Sequence, residues 1–249
     1  MSILKVQNIS KHFGGITAVN HCTFEVVENS ITALIGPNGA GKTTMFDLIT
    51  GLLKHDSGEI FFRGQAIGNL ATHKRAHMGI SRSFQAIRVF PELTALQNIM
   101  LSLRPNDDGF WDAFRPLKNK QKILKAKAME LLSKIQLHEK AHTKAGSLSY
   151  GQQKLLEIIR AIATGAELIL LDEPAAGVNR TMLTSIVTLI KELQTQGKTI
   201  LIVEHDMGFV MELCEEVIVM DYGKEIAHGT PSEIQNNPKV LEAYLGVKK

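Results

Sequence analysis

The loop that decides the fold of this chain reads Gly36-Pro37-Asn38-Gly39-Ala40-Gly41-Lys42-Thr43. An apolar, β-prone run at residues 31–35 precedes it, and a helix-like segment at 44–49 follows it. Glycines let successive backbone N–H groups curl around a phosphate, and a helix N-terminus adds partial positive charge. In such a loop Lys42 is expected to reach the β- and γ-phosphates, and the Thr43 hydroxyl to coordinate Mg²⁺. The stretch therefore predicts a phosphate-binding loop (P-loop) for a nucleoside triphosphate.

Composition and charge are those of an ordinary globular chain. Of its 249 residues 44% are hydrophobic and 21% charged, and the formal net charge of +3 is too small to indicate nucleic-acid binding. The N-terminus lacks a basic segment followed by an apolar one, and every apolar run is shorter than the roughly 20 residues that span a bilayer. We therefore expect a soluble chain without signal peptide or membrane span. The two cysteines, Cys22 and Cys214, have no metal-binding spacing and are expected to be small buried residues in a reducing compartment.

The hydrophobic pattern divides the chain into three regions. The first third indicates strands, at residues 4–9, 22–26 and 59–62, and residues 92–164 follow a mostly helical pattern. The last third alternates strands at 169–171, 199–203 and 217–220 with a helix that includes 182–193. Continuous apolar strands are typical of a parallel sheet covered on both faces. The pattern predicts a parallel α/β core, an antiparallel β portion and a helical insert.

Two carboxylates, Asp172 and Glu173, follow the apolar run at 168–171. In open α/β sheets ligands bind at the carboxyl ends of the strands, so both side chains should face the phosphates. A carboxylate at Asp172 suits Mg²⁺ and its waters. Glu173, one residue further on, is placed to orient and deprotonate an attacking water. The pair predicts hydrolysis of the bound nucleotide.

A second phosphate-binding element is indicated at Leu148-Ser149-Tyr150-Gly151-Gln152-Gln153, which precedes an apolar helix. Ser149 is a plausible helix N-cap, and Ser, Gly and Gln at a helix start also present donors to an anion. Together with the P-loop and Asp172-Glu173, this segment resembles the signature motif of the ATP-binding cassette (ABC) ATPases, and the resemblance extends over nearly the whole chain.

The resemblance assigns roles to further residues. Phe13 matches the aromatic residue that stacks on adenine, and Gln85 matches the glutamine that senses Mg²⁺ and water. His205 matches the histidine that contacts the γ-phosphate. The family thus implies catalytic roles for Glu173, His205, Lys42 and Gln85, and metal contacts for Thr43, Gln85 and Asp172. It implies nucleotide binding by Phe13, Gly36, Pro37, Asn38, Gly39, Ala40, Gly41, Lys42, Thr43, Thr44, Ser149, Gly151 and Gln152.

The implied fold is that of the ABC ATPases: a P-loop core of mainly parallel sheet, an antiparallel β subdomain and a helical insertion subdomain. Residues 1–249 would form one domain, with the core and β subdomain at about 1–85 and 165–249 and the helical subdomain at about 86–164. Two positions depart from the usual pattern. Tyr150 replaces the common signature glycine, and Asn179 replaces a common aspartate.

Because the chain carries one P-loop and one signature motif, the resemblance implies a head-to-tail dimer that sandwiches two MgATP. The partner would be a related cassette or a second copy. Within the family, the segments 83–94, 148–158 and 172–179 are similar to those of the LivG-like branched-chain amino acid importer cassettes. A long insertion at 104–122, with Phe110, Trp111 and Phe114, fits that group.

An importer of this group implies polytopic permease subunits, contacted near residues 86–100, and indirectly a periplasmic binding protein. It implies a peripheral position on the cytoplasmic face of the inner membrane and no nucleic-acid partner. Two alternatives stay open: a cassette for lipid or lipopolysaccharide export, and a soluble ABC ATPase without a transport role. Tyr150 and the long insert argue against the first, and the single cassette argues against the second.

Overall fold

Two sheets carry the fold of the computed structural model, which describes residues 1–83, 88–103 and 117–245. The strands of these ranges are β1 (Ser2–Phe13), β2 (Ile16–Val27), β3 (Ile31–Ile35), β4 (Ser57–Phe62), β5 (Gln65–Ala66), β6 (Ile80–Arg82), β7 (Leu168–Asp172), β8 (Thr199–Val203), β9 (Glu216–Asp221) and β10 (Lys224–Gly229). The helices are α1 (Lys42–Thr50), α2 (Thr72–His77), α3 (Ala95–Ser102), α4 (Leu117–Lys134), α5 (Tyr150–Ala163), α6 (Arg180–Thr195), α7 (Met207–Leu213), α8 (Pro231–Gln235) and α9 (Pro238–Leu245).

The larger sheet has the strand order β10-β9-β3-β8-β7-β6. Strands β9, β3, β8, β7 and β6 run parallel, and β10 pairs antiparallel with β9. Every residue of β3, β7 and β8 is buried, because both faces of this sheet are covered. The predicted parallel core and its apolar strands are confirmed.

The smaller sheet is antiparallel, in the order β2-β1-β4-β5. Strands β1 and β2 form a long hairpin, and β4 pairs with the other edge of β1. The strands expected in the first third of the chain are thus present. The two strands of the first hairpin, β1 and β2, extend further at both ends than the pattern indicated. This sheet supplies the antiparallel β portion predicted from the sequence.

Side chains of the parallel strands alternate between two hydrophobic clusters, because successive residues of a strand point to opposite faces. On one face Ile35, Leu171 and Ile202 pack with buried residues of α3 to α7. On the other face Leu34, Leu170 and Leu201 pack with α1 and with the antiparallel sheet. The parallel sheet is therefore the middle layer, and its strand ends are held from both sides.

Two of the helices between β6 and β7, α3 and α5, begin with a capping box. Thr94 and Gln97 cap α3, and Ser149 and Gln152 cap α5, each pair bonding reciprocally through side chain and backbone. The Ser149 cap was expected from the sequence and is confirmed. The division into subdomains at about 85 and 165 stays a prediction.

Three expectations concern residues elsewhere in the chain. Cys22 and Cys214 are buried, as expected, and burial raises the pKa of each thiol to about 12. Among the described residues, the helices are all too short or too polar to cross a bilayer. Gln85 and the aromatic residues Phe110, Trp111 and Phe114 lie outside the described ranges.

Candidate functional site

The functional residues lie at the carboxyl ends of neighbouring parallel strands. Strand β3 leads into the P-loop, β7 ends at Asp172 and is followed by Glu173, and β8 leads into Glu204 and His205. Because β3, β8 and β7 are adjacent and parallel, these ends meet at one edge of the sheet. Ligands of open α/β sheets bind at this edge. The structure thus brings together the P-loop, the carboxylates and the histidine that the sequence singled out.

The P-loop is an open cradle of backbone. Gly36, Gly39 and Gly41 have φ angles of 149°, 84° and 98°, which glycine adopts readily. Gly41 caps α1 without any side-chain hydrogen bond to the first turn. The Lys42 ammonium donates to the carbonyls of Gly36, at 2.7 Å, and Pro37, at 3.0 Å. A cationic side chain over a loop that ends at an uncapped helix N-terminus fits a bound phosphate.

The glycines of this loop differ in how much space surrounds them. A Cβ at Gly41 would lie 2.4 Å from the carbonyl oxygen of Ala18 in β2, whereas a Cβ at Gly39 would meet nothing within 4 Å. Both backbones are left-handed, a conformation that costs about 1–2 kcal/mol with a side chain. Of these two glycines, Gly41 therefore combines this backbone with a close approach of another strand. Gly36 does so too, because a Cβ there would lie 2.0 Å from the Met220 carbonyl oxygen of β9.

We expect Gly41→Ala to lower the free energy of unfolding by about 1–3 kcal/mol more than Gly39→Ala, because the added methyl collides with backbone that cannot move aside. Gly39→Ala is the matched control, since it carries the same backbone penalty without the collision. Urea unfolding followed by circular dichroism measures both. Equal losses in the two variants would contradict the contact with Ala18.

Asp172 is buried and lies beside an arginine that the sequence analysis missed. Its carboxylate accepts a hydrogen bond of 2.8 Å from the Arg82 guanidinium. Arg82 also pairs with Asp47 of α1, and its guanidinium lies 5.4 Å from the ring centroid of Phe46. One cation therefore connects the P-loop helix to the strand end that carries Asp172. An arginine at the end of a short apolar strand, in Ile80-Ser81-Arg82, was the available signal.

Glu173 and His205 lie side by side. The Glu173 carboxylate is 3.8 Å from Nδ1 of His205, and the Glu173 backbone N–H donates to the Val203 carbonyl at 2.9 Å. Glu173 has a φ of 48°, an uncommon left-handed conformation for a residue with a side chain. Burial lowers the pKa of Lys42, and the negative charges of Glu173 and Asp172 oppose that change. Lys42 thus feels the charges of Asp172 and Glu173, and His205 lies beside Glu173, an arrangement suited to hold a phosphate and act on water.

The signature residues form the start of α5 and contact the segment after Glu173. The Gln152 side chain accepts from the Ser149 N–H and from Lys140, each at 3.2 Å. The Tyr150 ring packs on Gly177, where a Cβ would lie only 2.7 Å from it. Tyr150, the unusual signature residue, thus has a defined partner. The predicted phosphate contacts of Ser149, Gly151 and Gln152 stay predictions.

Phe13 ends β1 at the tip of the first hairpin and is exposed. The Lys11 ammonium lies 5.5 Å from the centroid of its ring. The opposite strand of the hairpin, β2, approaches the P-loop closely, since the Ala18 carbonyl faces Gly41. This position agrees with the expected adenine contact, which stays a prediction.

A parallel sheet with a P-loop and with Asp172, Glu173 and His205 at its strand ends defines a P-loop nucleotide-binding protein. Two family models match the chain: "ABC transporter" over residues 19–176, and "Branched-chain amino acid ATP-binding cassette transporter" over residues 224–249. The chain belongs to the ABC transporter family, as one of its ATP-binding cassettes.

Individual proteins agree with this assignment. The chain is 38% identical to the high-affinity branched-chain amino acid transport ATP-binding protein BraF of Pseudomonas aeruginosa and 39% identical to LivG of Escherichia coli, over 98% of each chain. It is similar to the ADP conformation of an ATP-binding cassette of an ABC transporter, with a TM-score of 0.86, 35% identity, and coverage of 99% of this chain and 100% of that one. It is also similar to a dimeric cassette in a post-hydrolysis state bound to ADP and Pi, with a TM-score of 0.78, 27% identity and coverage of 92% and 98%. These matches confirm the predicted ABC ATPase fold and the assignment as an ATPase subunit of a transporter.

Proposed function

We propose that this chain hydrolyses ATP to drive an importer of branched-chain or related amino acids. The observation that carries the proposal is the match of residues 224–249 to the branched-chain amino acid family model, together with full-length relatives of that description. The matched segment includes β10, α8 and α9. It lies apart from the motifs that ABC ATPases share, so it supports the narrower group rather than the family alone.

The residues at the strand ends fit a magnesium nucleotide. A hydroxyl at Thr43 and a carboxylate at Asp172 are the oxygen ligands that Mg²⁺ prefers, and Gln85 would complete the set. A bound magnesium ion would neutralise charge on the phosphates. Lys42 binds the β- and γ-phosphates, Glu173 accepts a proton from the attacking water, and His205 orients the γ-phosphate. Each of these steps uses a side chain that the sheet edge gathers in one place.

A second cassette completes the site. One chain supplies one P-loop and one signature, and a cassette similar to this chain is dimeric with ADP and Pi bound. Ser149 and Gly151 of the partner would contact the γ-phosphate at this P-loop. The γ-phosphate would favour the closed dimer, and its release would let the dimer open. The partner is a related cassette or a second copy of this chain.

The permease subunits would dock on a cleft between the parallel sheet and the inserted helices. The cleft has a volume of about 610 Å³ and is lined by four arginines, with Leu52 and Leu101 among its apolar residues. The arginines are Arg75, Arg82, Arg88 and Arg160. Arg82 is already paired with Asp172 and Asp47, and Glu157 also lines the cleft, so the exposed side chains of Leu52 and Leu101 are the surface that would contact a short permease helix. Such docking would hold the chain on the cytoplasmic face of the membrane, with a periplasmic binding protein on the other side.

The test is to tag the chain in its native host, solubilise membranes gently and identify the proteins that co-purify. We expect two polytopic permease subunits and a second cassette, and loss of leucine uptake when the gene is deleted. Complementation with the wild-type gene should restore uptake, and complementation with Glu173→Gln should not. A lipopolysaccharide defect with normal leucine uptake would favour the export alternative. Ribosomal proteins without any membrane subunit would contradict transport.

A further inference from the structure

We propose that Glu204 is a positioning residue whose buried carboxylate holds the loop of Glu173 and the loop of His205 in one fixed arrangement. The inference rests on the proposed roles of Glu173 and His205. It adds a residue to which the sequence analysis gave no role, although an acidic residue directly after the fully buried strand β8 was the signal.

Glu204 bridges two loops through backbone hydrogen bonds. Its side chain is 0% exposed. One carboxylate oxygen accepts from the Ala175 N–H at 2.7 Å. The other accepts from the N–H groups of His205, at 3.1 Å, and Asp206, at 3.5 Å. A carboxylate is costly to bury unless its oxygens are hydrogen-bonded, and here both are occupied, each by a different loop.

The bond to Ala175 acts on Glu173. Glu173 keeps its left-handed φ of 48° inside a turn closed by the Ala176 N–H, which donates to the Glu173 carbonyl at 3.2 Å. Strained backbone of this kind persists only where its surroundings fix it. Ala175 lies within that turn, so its bond to Glu204 fixes the turn from the side of β8. Without the bond, the turn keeps only the bonds of Glu173 to Val203 and Ala176, and we expect Glu173 to shift toward an ordinary backbone conformation.

The bonds to His205 and Asp206 fix the second loop. The His205 ring nitrogen Nδ1 lies 4.0 Å from the Glu204 carboxylate, too far for a hydrogen bond. Glu204 therefore acts on the imidazole through the backbone of its own loop. Asp206 in turn caps α7, with its side chain accepting from the Phe209 N–H at 3.1 Å. The start of α7 and the position of His205 are thus set together.

Glu204→Gln removes one acceptor oxygen without changing the size of the side chain. Glutamine has nearly the same shape as glutamate but only one acceptor oxygen for the two loops. We expect kcat for ATP hydrolysis to fall about 10- to 100-fold, since a displacement of about 1 Å at a reacting group has an effect of this size. KM for ATP and the Kd of ADP should stay within about twofold, because the P-loop is unchanged. Hydrogen–deuterium exchange should become faster in peptides covering 173–176 and 205–206.

The controls distinguish failure of this inference from failure of the proposed roles. Glu225→Gln, a substitution in β10, should leave kcat and exchange unchanged. Glu173→Gln and His205→Ala are measured alongside, and full turnover in either would contradict the proposed roles rather than the bridge. Unchanged kcat and exchange in Glu204→Gln, with Glu173→Gln inactive, would overturn the bridge. Loss of folding or of ADP binding together with turnover would also overturn it, since Glu204 would then be a stabilising residue only.

Discussion

Glu173→Gln is expected to lower ATP turnover by about 10²- to 10⁴-fold while ATP binding persists, the range over which a positioned general base acts. The amide keeps the size of the side chain and its place 3.8 Å from the His205 ring, but it accepts a proton poorly. Lys42 and the P-loop are unchanged, so nucleotide affinity should hold. Phosphate release measures turnover, and isothermal titration calorimetry measures affinity.

The same variant should accumulate as a closed dimer with ATP, because the γ-phosphate that favours closure is no longer removed. Size-exclusion chromatography with ATP, and with ADP as the comparison, resolves the two states. Glu192→Gln, which alters an exposed carboxylate paired with Lys134 on the helical side, is the control and should hydrolyse ATP normally. Normal turnover in Glu173→Gln would contradict its assignment as the base.

Arg82→Leu is expected to lower the free energy of unfolding by about 3–5 kcal/mol, the usual result of removing one partner of a buried ion pair. The Arg82 side chain is 7% exposed and that of Asp172 2%, so the Asp172 carboxylate would lose its cation in a site with little water. The bond to Asp47, whose side chain is 26% exposed, would be lost as well. Urea unfolding followed by circular dichroism measures the loss.

Arg63→Leu is the matched control, because Arg63 pairs with Glu167 at 2.5 Å and both side chains are substantially exposed. Exposed pairs contribute about 0–1 kcal/mol, so this variant should change little. In the Arg82→Leu background, Asp172→Asn should recover part of the lost stability, since it removes the uncompensated charge. Equal losses in the free energy of unfolding for Arg82→Leu and Arg63→Leu would contradict the pairing of Arg82 with Asp172. So would the absence of any recovery of stability when Asp172→Asn is added.

Several parts of the fold were predictable because their signals are local. The apolar runs of β3, β7 and β8 required a sheet covered on both faces, and both hydrophobic clusters are present. The N-cap at Ser149 followed from a serine directly before an apolar helix, and the structure completes it to a capping box with Gln152. The P-loop followed from glycines between a strand and a helix. In each case the signal lies in residues that are adjacent in the sequence, so the element could be predicted without knowledge of the tertiary structure.

Other contacts could not be predicted from patterns in the sequence. Arg82 meets Asp172 across 90 positions, and Glu204 meets Ala175 across 29. The packing of Tyr150 on Gly177 likewise joins the start of α5 to the loop before α6. These pairs depend on which strands lie side by side in the sheet, and a residue pattern along one strand carries no information about its neighbour.

The sequence by itself determined the class of this protein: a P-loop, a signature segment and an acidic strand end are contiguous motifs whose chemistry depends on a few adjacent residues. The tertiary structure decided how the charged groups around those motifs are neutralised and held. Arg82 neutralises Asp172, and Glu204 ties the loop of Glu173 to the loop of His205. The reason is physical: a buried charge must find a partner, and only the packing of strands distant in sequence supplies one.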